Sequence, residues 1–265
     1  MLGVATCVQA IAHVPAAGTR HRSSRLHGVT AHTIHCIQHS ERVRALDVER
    51  WATSRGVDLR IVRADLGELP AADDVRDLIV LGGEMNTDEA AKHPWLDEER
   101  ELLRALLARA EVRIFGICLG SQLLAEVLGG SVGRAQHREI GWHQATLTEA
   151  GRASRVFGSL EPTTDVFEWH GDSWTLPDGA TLTLTGATCA TQAFEWDDRV
   201  FAVQFHPEFT YARTRELAAT TSDDLESGER AVQRAEEFLA DPRRFDRSQQ
   251  LLDTLLDGAF ALSPT

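Results

Sequence analysis

The sequence predicts an α/β fold with a mostly parallel central sheet flanked by helices, on three observations. Apolar, β-forming runs alternate with segments of helical period from Thr33 to about Gly130. At least one run, Leu78-Ile79-Val80-Leu81, is continuously apolar, as parallel strands buried on both faces are. Two glycine-punctuated turns, Gly82-Gly83 and Gly116-Ile117-Cys118-Leu119-Gly120, follow such runs, and sites in open α/β sheets lie at those C-terminal strand ends.

Taken in order, residues 33–38 read as a first strand. A helix over about 42–55 follows, with Val43, Leu46 and Trp51 inward and Gly56 at its end. Leu59-Arg60-Ile61-Val62 is a second strand and 75–81 a third. Pro94 suits the first turn of a helix reaching about Ala110. The run 114–117 and the segment after Cys118 complete the pattern as strand, sharp turn and helix.

After Gly130 the texture is β-rich. Strands are predicted at 145–148, 166–169 and 181–184, and 192–196 with 200–205 form a hairpin across Asp197-Asp198. Beyond Thr210 the period is helical, with one segment over 228–240, a break at Asp241-Pro242, and another over 248–262. The apolar face of the latter (Leu251, Leu252, Leu255, Leu256, Phe260) packs on the sheet or forms a homodimer contact. The organisation expected is a flexible extension over 1–31, one domain over 32–210, and a C-terminal helical segment over 211–265. The extension is set apart by composition, since no acid occurs before Glu41 while six of the eleven histidines do. A targeting segment is the lesser reading of that stretch. His35 and His39 share a strand face but lie too far apart along it to chelate one ion readily, so no metal is expected.

Composition narrows the partners. A formal net charge of -13, with arginines scattered among acids, disfavours nucleic acid and anionic membrane surfaces. No apolar run approaches bilayer-spanning length. The four cysteines (Cys7, Cys36, Cys118, Cys189) include no C-x-x-C pair, which argues against a zinc cage or disulfide scaffold and favours a reducing cytoplasm. No cofactor is indicated.

The chemistry gathers around Cys118. A nucleophile at a strand-to-helix turn needs small residues two before and two after it, and Gly116 and Gly120 fit. The helix that follows aims its free N–H groups at the sulfur, favouring negative charge there. A nucleophilic cysteine also needs a base, and the base an orienting group. His206 and Glu208 supply both, because Pro207 holds His206 extended and residues two apart then project to similar sides.

Gly116-Ile117-Cys118-Leu119-Gly120 with Gln122, Glu139-Ile140-Gly141-Trp142, Phe167-Glu168-Trp169-His170-Gly171-Asp172 and Gln204-Phe205-His206-Pro207-Glu208 together resemble the class I, triad-type glutamine amidotransferases. The nearest branch is the stand-alone one resembling the glutaminase domain of GMP synthase. The resemblance covers 33 to about 210 and implies a flavodoxin-like sheet. It further implies Cys118 as nucleophile, His206 as proton carrier and Glu208 as its orienting group. The backbone N–H groups of Gly83 and Leu119 would form an oxyanion hole. Gln122, Trp169, His170 and Gly171 would bind the substrate, His170 in a structural capacity. Glu84 stands where the family often has proline, and the acid-free extension has no family counterpart.

The implied reaction is hydrolysis of the glutamine side-chain amide through a γ-glutamyl thioester. Its ammonia acceptor would be a separate synthetase subunit, since the sequence has no Gly-rich ATP-binding loop of either common type. The alternative is a γ-glutamyl amide or peptide hydrolase that needs no synthetase. A non-catalytic module binding glutamine or a protein partner is a third reading, and an intact Cys118, His206 and Glu208 speaks against it. A cysteine α/β-hydrolase shares the elbow but places its acid before the histidine in the chain, whereas here the acid follows.

Overall fold

A computed structural model describes residues 32–221, 225 and 228–262. The extension predicted over 1–31 lies outside the described residues. The strands are β1 (Thr33–Gln38), β2 (Asp58–Arg63), β3 (Asp77–Val80), β4 (Arg113–Ile117), β5 (Val132–Leu147), β6 (Thr163–Trp174), β7 (Thr181–Gly186), β8 (Ala193–Trp196) and β9 (Val200–Val203). They form one nine-stranded sheet in the order β2-β1-β3-β4-β9-β8-β7-β5-β6. The first five of these pair in parallel, and the pairings from β9 to β6 are antiparallel. The β-rich part of the sequence therefore continues the central sheet. The turn between β8 and β9 has Asp197 and Asp198 at φ 53° and 52°, the double left-handed geometry that matches hairpin twist.

Helices cover both faces. On one side α1 (Leu46–Arg55) and the long C-terminal helix, Arg243–Phe260, pack Val48, Trp51, Leu252, Leu255 and Phe260 against Phe115, Ile117 and Phe201. On the other, α2 (Trp95–Leu107) and α3 (Leu119–Val127) set Leu96, Leu103, Leu123 and Leu124 against Leu78, Val80 and Ile114. Each large aliphatic side chain so buried stabilises the fold by roughly 1.5–3 kcal/mol. The shorter helices α4 (Glu149–Ala153), α5 (Tyr211–Thr220) and α6 (Ala235–Phe238) precede the long one, which is α7. Among the described residues, no helix is long and apolar enough to cross a membrane.

The structure departs from the sequence expectation in three places. Leu46 is exposed, because it lies about 140° around the helix from Trp51; Val48 and Ala52, three before and one after it, share the buried face instead. Residues 228–240 are helical only over Ala235–Phe238. Upstream of that, the Ile140 amide donates to the Ala231 carbonyl at 3.1 Å and the Gln233 amide to the Ile140 carbonyl at 2.9 Å, so the segment runs beside β5. The strand predicted at 145–148 is the end of a much longer one, β5. Its basic stretch hides the period, and its pairing with β6 shifts register between Arg134 and Glu139.

Candidate functional site

Parallel pairing brings the C-terminal ends of β1, β3, β4 and β9 to one edge of the sheet. His39, Gly82-Gly83, Cys118 and His206 follow those four strands, so the topology assembles them from distant stretches of chain.

Cys118 sits between β4 and α3 at φ 49° and ψ −107°, a conformation that non-glycine residues rarely adopt and that is found where function requires it. Its neighbours are cut back for close approach. A Cβ on Gly120 would lie 2.3 Å from the Val80 carbonyl oxygen, and one on Gly116 would lie 2.9 Å from the Gly120 backbone. The Cys118 amide donates to the Val203 carbonyl at 2.9 Å, and its carbonyl accepts from the Gln122 amide at 3.0 Å and the Ser121 hydroxyl at 2.7 Å. These bonds hold the residue in its strained state. Leu119 opens α3, so its amide is among the first-turn N–H groups with no intrahelical acceptor.

His206 follows β9 and is anchored by its amide, which donates to the Phe167 carbonyl at 2.8 Å. Its Nδ1 lies 2.7 Å from Glu208 Oε1, and both residues are buried. Phe209 lies against the imidazole with centroids 4.2 Å apart. Burial alone would lower the His206 pKa, but the Glu208 carboxylate and the Cys118 sulfur outweigh it and push it up to about 10. The ring thus favours its charged form, hydrogen-bonded to the Glu208 carboxylate and close to the Cys118 sulfur.

A cleft of about 390 Å³ opens above these groups. It is lined by Gly83, Cys118, Gln122, Trp169, His170, Gly171 and His206, all nominated from sequence. Glu208 stands behind His206, and Leu119 behind Cys118. Gln122 donates through Nε2 to the Asp172 carbonyl at 3.2 Å. His170 lines the cleft with both nitrogens engaged: Nδ1 lies 2.9 Å from the Asp172 carbonyl oxygen, while Nε2 is 3.1 Å from Glu139 and 3.3 Å from Glu168. Burial opposes its charge, yet the two carboxylates raise its pKa well above the usual value and favour the charged ring. Glu139, His170 and Cys189 are also a set of metal-ligand types within 4.8 Å of one another. The His170 nitrogens there are spent on hydrogen bonds within the protein.

Sequence reasoning passed over several residues here. Arg134 and Arg138 line the mouth of the cleft beside Gly171, and Met85 and Asn86 line its wall. The only sequence signal for the arginines is that they flank Glu139-Ile140-Gly141-Trp142, and the register shift that carries them to the mouth is invisible in the sequence. Glu84, the departure from the family pattern, pairs on the surface with Arg42 at 2.9 Å.

Comparison with known proteins agrees with this architecture. The sequence profile of the family described as Glutamine amidotransferase class-I matches residues 47–219. The glutamine amidotransferase-like protein YfeJ of Salmonella typhimurium is 32% identical over 223 residues, 81% of this chain and 87% of the relative. A glutamine-hydrolyzing GMP synthase subunit of Thermoplasma acidophilum is 33% identical over 170 residues, 62% of this chain and 78% of the relative. Among solved structures, a glutamine amidotransferase from Methylobacillus flagellatus superimposes with a TM-score of 0.82 at 27% identity, covering 89% of this chain and 97% of that one. One from Thermotoga maritima does so with a TM-score of 0.75 at 27% identity, covering 85% and 96%. With its fold and most of its length matched in this way, the chain belongs to the class-I glutamine amidotransferase family.

Proposed function

We propose that this protein hydrolyses the side-chain amide of glutamine to glutamate and ammonia through a γ-glutamyl thioester on Cys118. The observation that carries this reading is the strained Cys118 at the floor of the cleft, with His206 beside it and Glu208 2.7 Å behind.

In this mechanism the Cys118 sulfur attacks the amide carbon and the carbonyl electrons move onto oxygen. The amides of Gly83 and Leu119 receive that oxyanion. Collapse of the intermediate breaks the C–N bond, and His206 delivers its proton to the leaving nitrogen, which departs as ammonia. Water then adds to the thioester while His206 takes a proton from it, and the C–S bond breaks to release glutamate. Glu208 keeps the ring oriented and its charged form stable throughout. Gln122, Trp169 and Gly171 position the amino-acid end of the substrate, with His170 holding that wall rigid. Ammonia passes to a separate synthetase, as the similarity to a glutamine-hydrolyzing subunit of GMP synthase suggests.

A second reading, hydrolysis of γ-glutamyl amides or peptides without a synthetase, is favoured by one observation. The cleft extends from Cys118 to Arg134 and Arg138, which pair with Asp172 at 3.3 Å and Glu229 at 2.9 Å and place positive charge on the side where a leaving group carrying a carboxylate would lie. Ammonia and glutamate release from L-glutamine and from a panel of γ-glutamyl peptides, with Cys118→Ala as blank, tests both. Cys118-dependent release from glutamine supports the first reading, and release only from peptides supports the second. Turnover that survives Cys118→Ala sinks both.

A further inference from the structure

His39, at the end of β1, is the buried charged group beside the site that the proposed mechanism leaves idle. Its side chain and that of Glu99 on α2 are completely buried. Nε2 lies 3.0 Å and 3.2 Å from the two Glu99 oxygens. Nδ1 lies 2.8 Å from the Gly82 carbonyl oxygen. The ring stacks on Trp95 with centroids 5.4 Å apart, so it cannot easily turn away. Both nitrogens face acceptors, the Gly82 carbonyl and the Glu99 carboxylate, an arrangement that suits a ring donating from each; burial opposes that charge, but Glu99 outweighs it and raises the pKa.

The acceptor decides the consequence. The Gly82-Gly83 peptide is trans, since the chain has no cis peptide bond among the described residues. In a trans peptide the carbonyl and the following N–H point in opposite directions in one plane. Holding the Gly82 carbonyl toward His39 therefore turns the Gly83 N–H away from it, to the side where the cleft lies. The peptide is also confined sterically. A Cβ on Gly82 would meet His206 Cε1 at 2.8 Å and Cys118 Cβ at 3.4 Å, and one on Gly83 would meet Leu119 Cδ2 at 2.5 Å. A donor bonded to a carbonyl also polarises the peptide and strengthens its N–H as a donor in turn.

We infer that His39 and Glu99 are positioning residues for acyl transfer: the buried pair clamps the Gly82 carbonyl and thereby fixes the Gly83 amide as an oxyanion donor. This rests on the reading of Cys118 as an acyl-transfer nucleophile. It requires no particular substrate, because any acyl donor passes through an oxyanion.

Two neutral replacements separate this role from simple structural support. In His39→Asn the side-chain nitrogen falls near Nδ1 and can still serve Gly82, whereas in His39→Gln it falls near Nε2 and serves Glu99 only. Each variant, and the wild type, is assayed for acylation of Cys118 by p-nitrophenyl acetate, which needs an oxyanion donor, and for alkylation by iodoacetamide, which does not. The clamp predicts that His39→Gln loses at least about tenfold in acylation rate, towards the ~10²–10³ seen when an oxyanion donor is deleted. It also predicts that His39→Asn recovers most of the loss and that alkylation changes less than about twofold in both. Equal acylation losses in the two variants, parallel losses of acylation and alkylation, or no loss in His39→Gln overturns the clamp. So does a wild type that alkylates but never acylates. A wild type that acylates from the ester yet releases nothing from γ-glutamyl compounds breaks the substrate reading and leaves the clamp standing.

Discussion

Among the described residues are two groups made of the same three residue types, and on the proposed function they do opposite things. In Cys118, His206 and Glu208, the histidine spends one nitrogen on a carboxylate and faces the sulfur with the rest of its ring. In Cys189, His170 and Glu139, one nitrogen faces two carboxylates and the other a backbone carbonyl. Cys189 makes its own contacts instead, to Ser173 at 3.2 Å and toward the Thr191 carbonyl at 3.6 Å. Cys118 is held at positive φ on a helix N-terminus, while Cys189 has no such strain. On that reading, residue type alone does not make a reactive group. What separates the two is whether the histidine has a nitrogen to spare and whether the backbone presses the sulfur toward it.

The largest effect that would break this contrast is on turnover. Cys118→Ser and His206→Ala are expected to lower substrate hydrolysis by at least about 10⁴-fold, as loss of a nucleophile or base does. Cys189→Ser, measured in the same assay, is expected to stay within about threefold. A Cys189 variant as dead as the Cys118 one would mean that the wrong group has been placed at the centre.

Next in size are the two carboxylates. Glu208→Ala is expected to lower kcat by roughly 10²–10⁴-fold, less than loss of the histidine. Glu139→Ala leaves the buried His170 with a single carboxylate partner, Glu168, so its main effect is on stability, about 1–3 kcal/mol by denaturant titration. If Glu139→Ala keeps its stability and loses only turnover, the second group is not a scaffold.

The elbow itself offers a third test. Gly120→Ala places a methyl 2.3 Å from the Val80 carbonyl, so β3 or α3 must shift. A cost of about 1–3 kcal/mol is expected, together with slower alkylation of Cys118 by iodoacetamide. Unchanged alkylation would show that the close approach of strand and helix does not govern the sulfur.

The pH dependence of stability sharpens the comparison further. Both histidines are raised in the folded state, so each contributes fully below its unfolded value of ~6.5 and loses that contribution as pH climbs through the folded one. Glu139 runs the other way. Burial raises its pKa, but His170 outweighs this and lowers it, so its contribution holds above ~4.3 and fades as pH falls through the lowered value. Melting temperature is expected to be highest between about pH 4.3 and pH 6.5 and to drop as pH rises from there through about 10, with Glu208→Gln removing the His206 share of that drop. A curve that Glu208→Gln leaves unaltered would contradict the charged state of His206. The smallest effect belongs to the exposed Arg42–Glu84 pair, where Glu84→Ala is expected to change stability by less than about 1 kcal/mol.

Much of the architecture was legible in the sequence because local signals decided it. The continuous apolar run at 78–81, Gly56 in the left-handed conformation after α1, and the Asp197-Asp198 turn are each set by a few adjacent residues, and the structure has them where the pattern puts them. So is part of the elbow, where Gly116 answers a clash with the Gly120 backbone four residues on, although Gly120 answers one with Val80 on the neighbouring strand. The segment 228–240 departs for the opposite reason, because its helical period competes with hydrogen bonds to β5, far along the chain, whereas Leu46 simply lies off the helix face that Trp51 sets.

The tertiary structure alone decided how histidines and acids divide into partners. Sequence spacing brought Glu208 to His206, two residues away, but could not say that Glu99 would reach His39 or that Glu139 and Glu168 would enclose His170. Nor could it say that a register shift in β5 would bring Arg134 and Arg138 to the cleft. Hydrogen bonds and ion pairs act over a few ångströms whatever the separation in sequence. Which groups meet within that range is therefore fixed by strand order and helix packing.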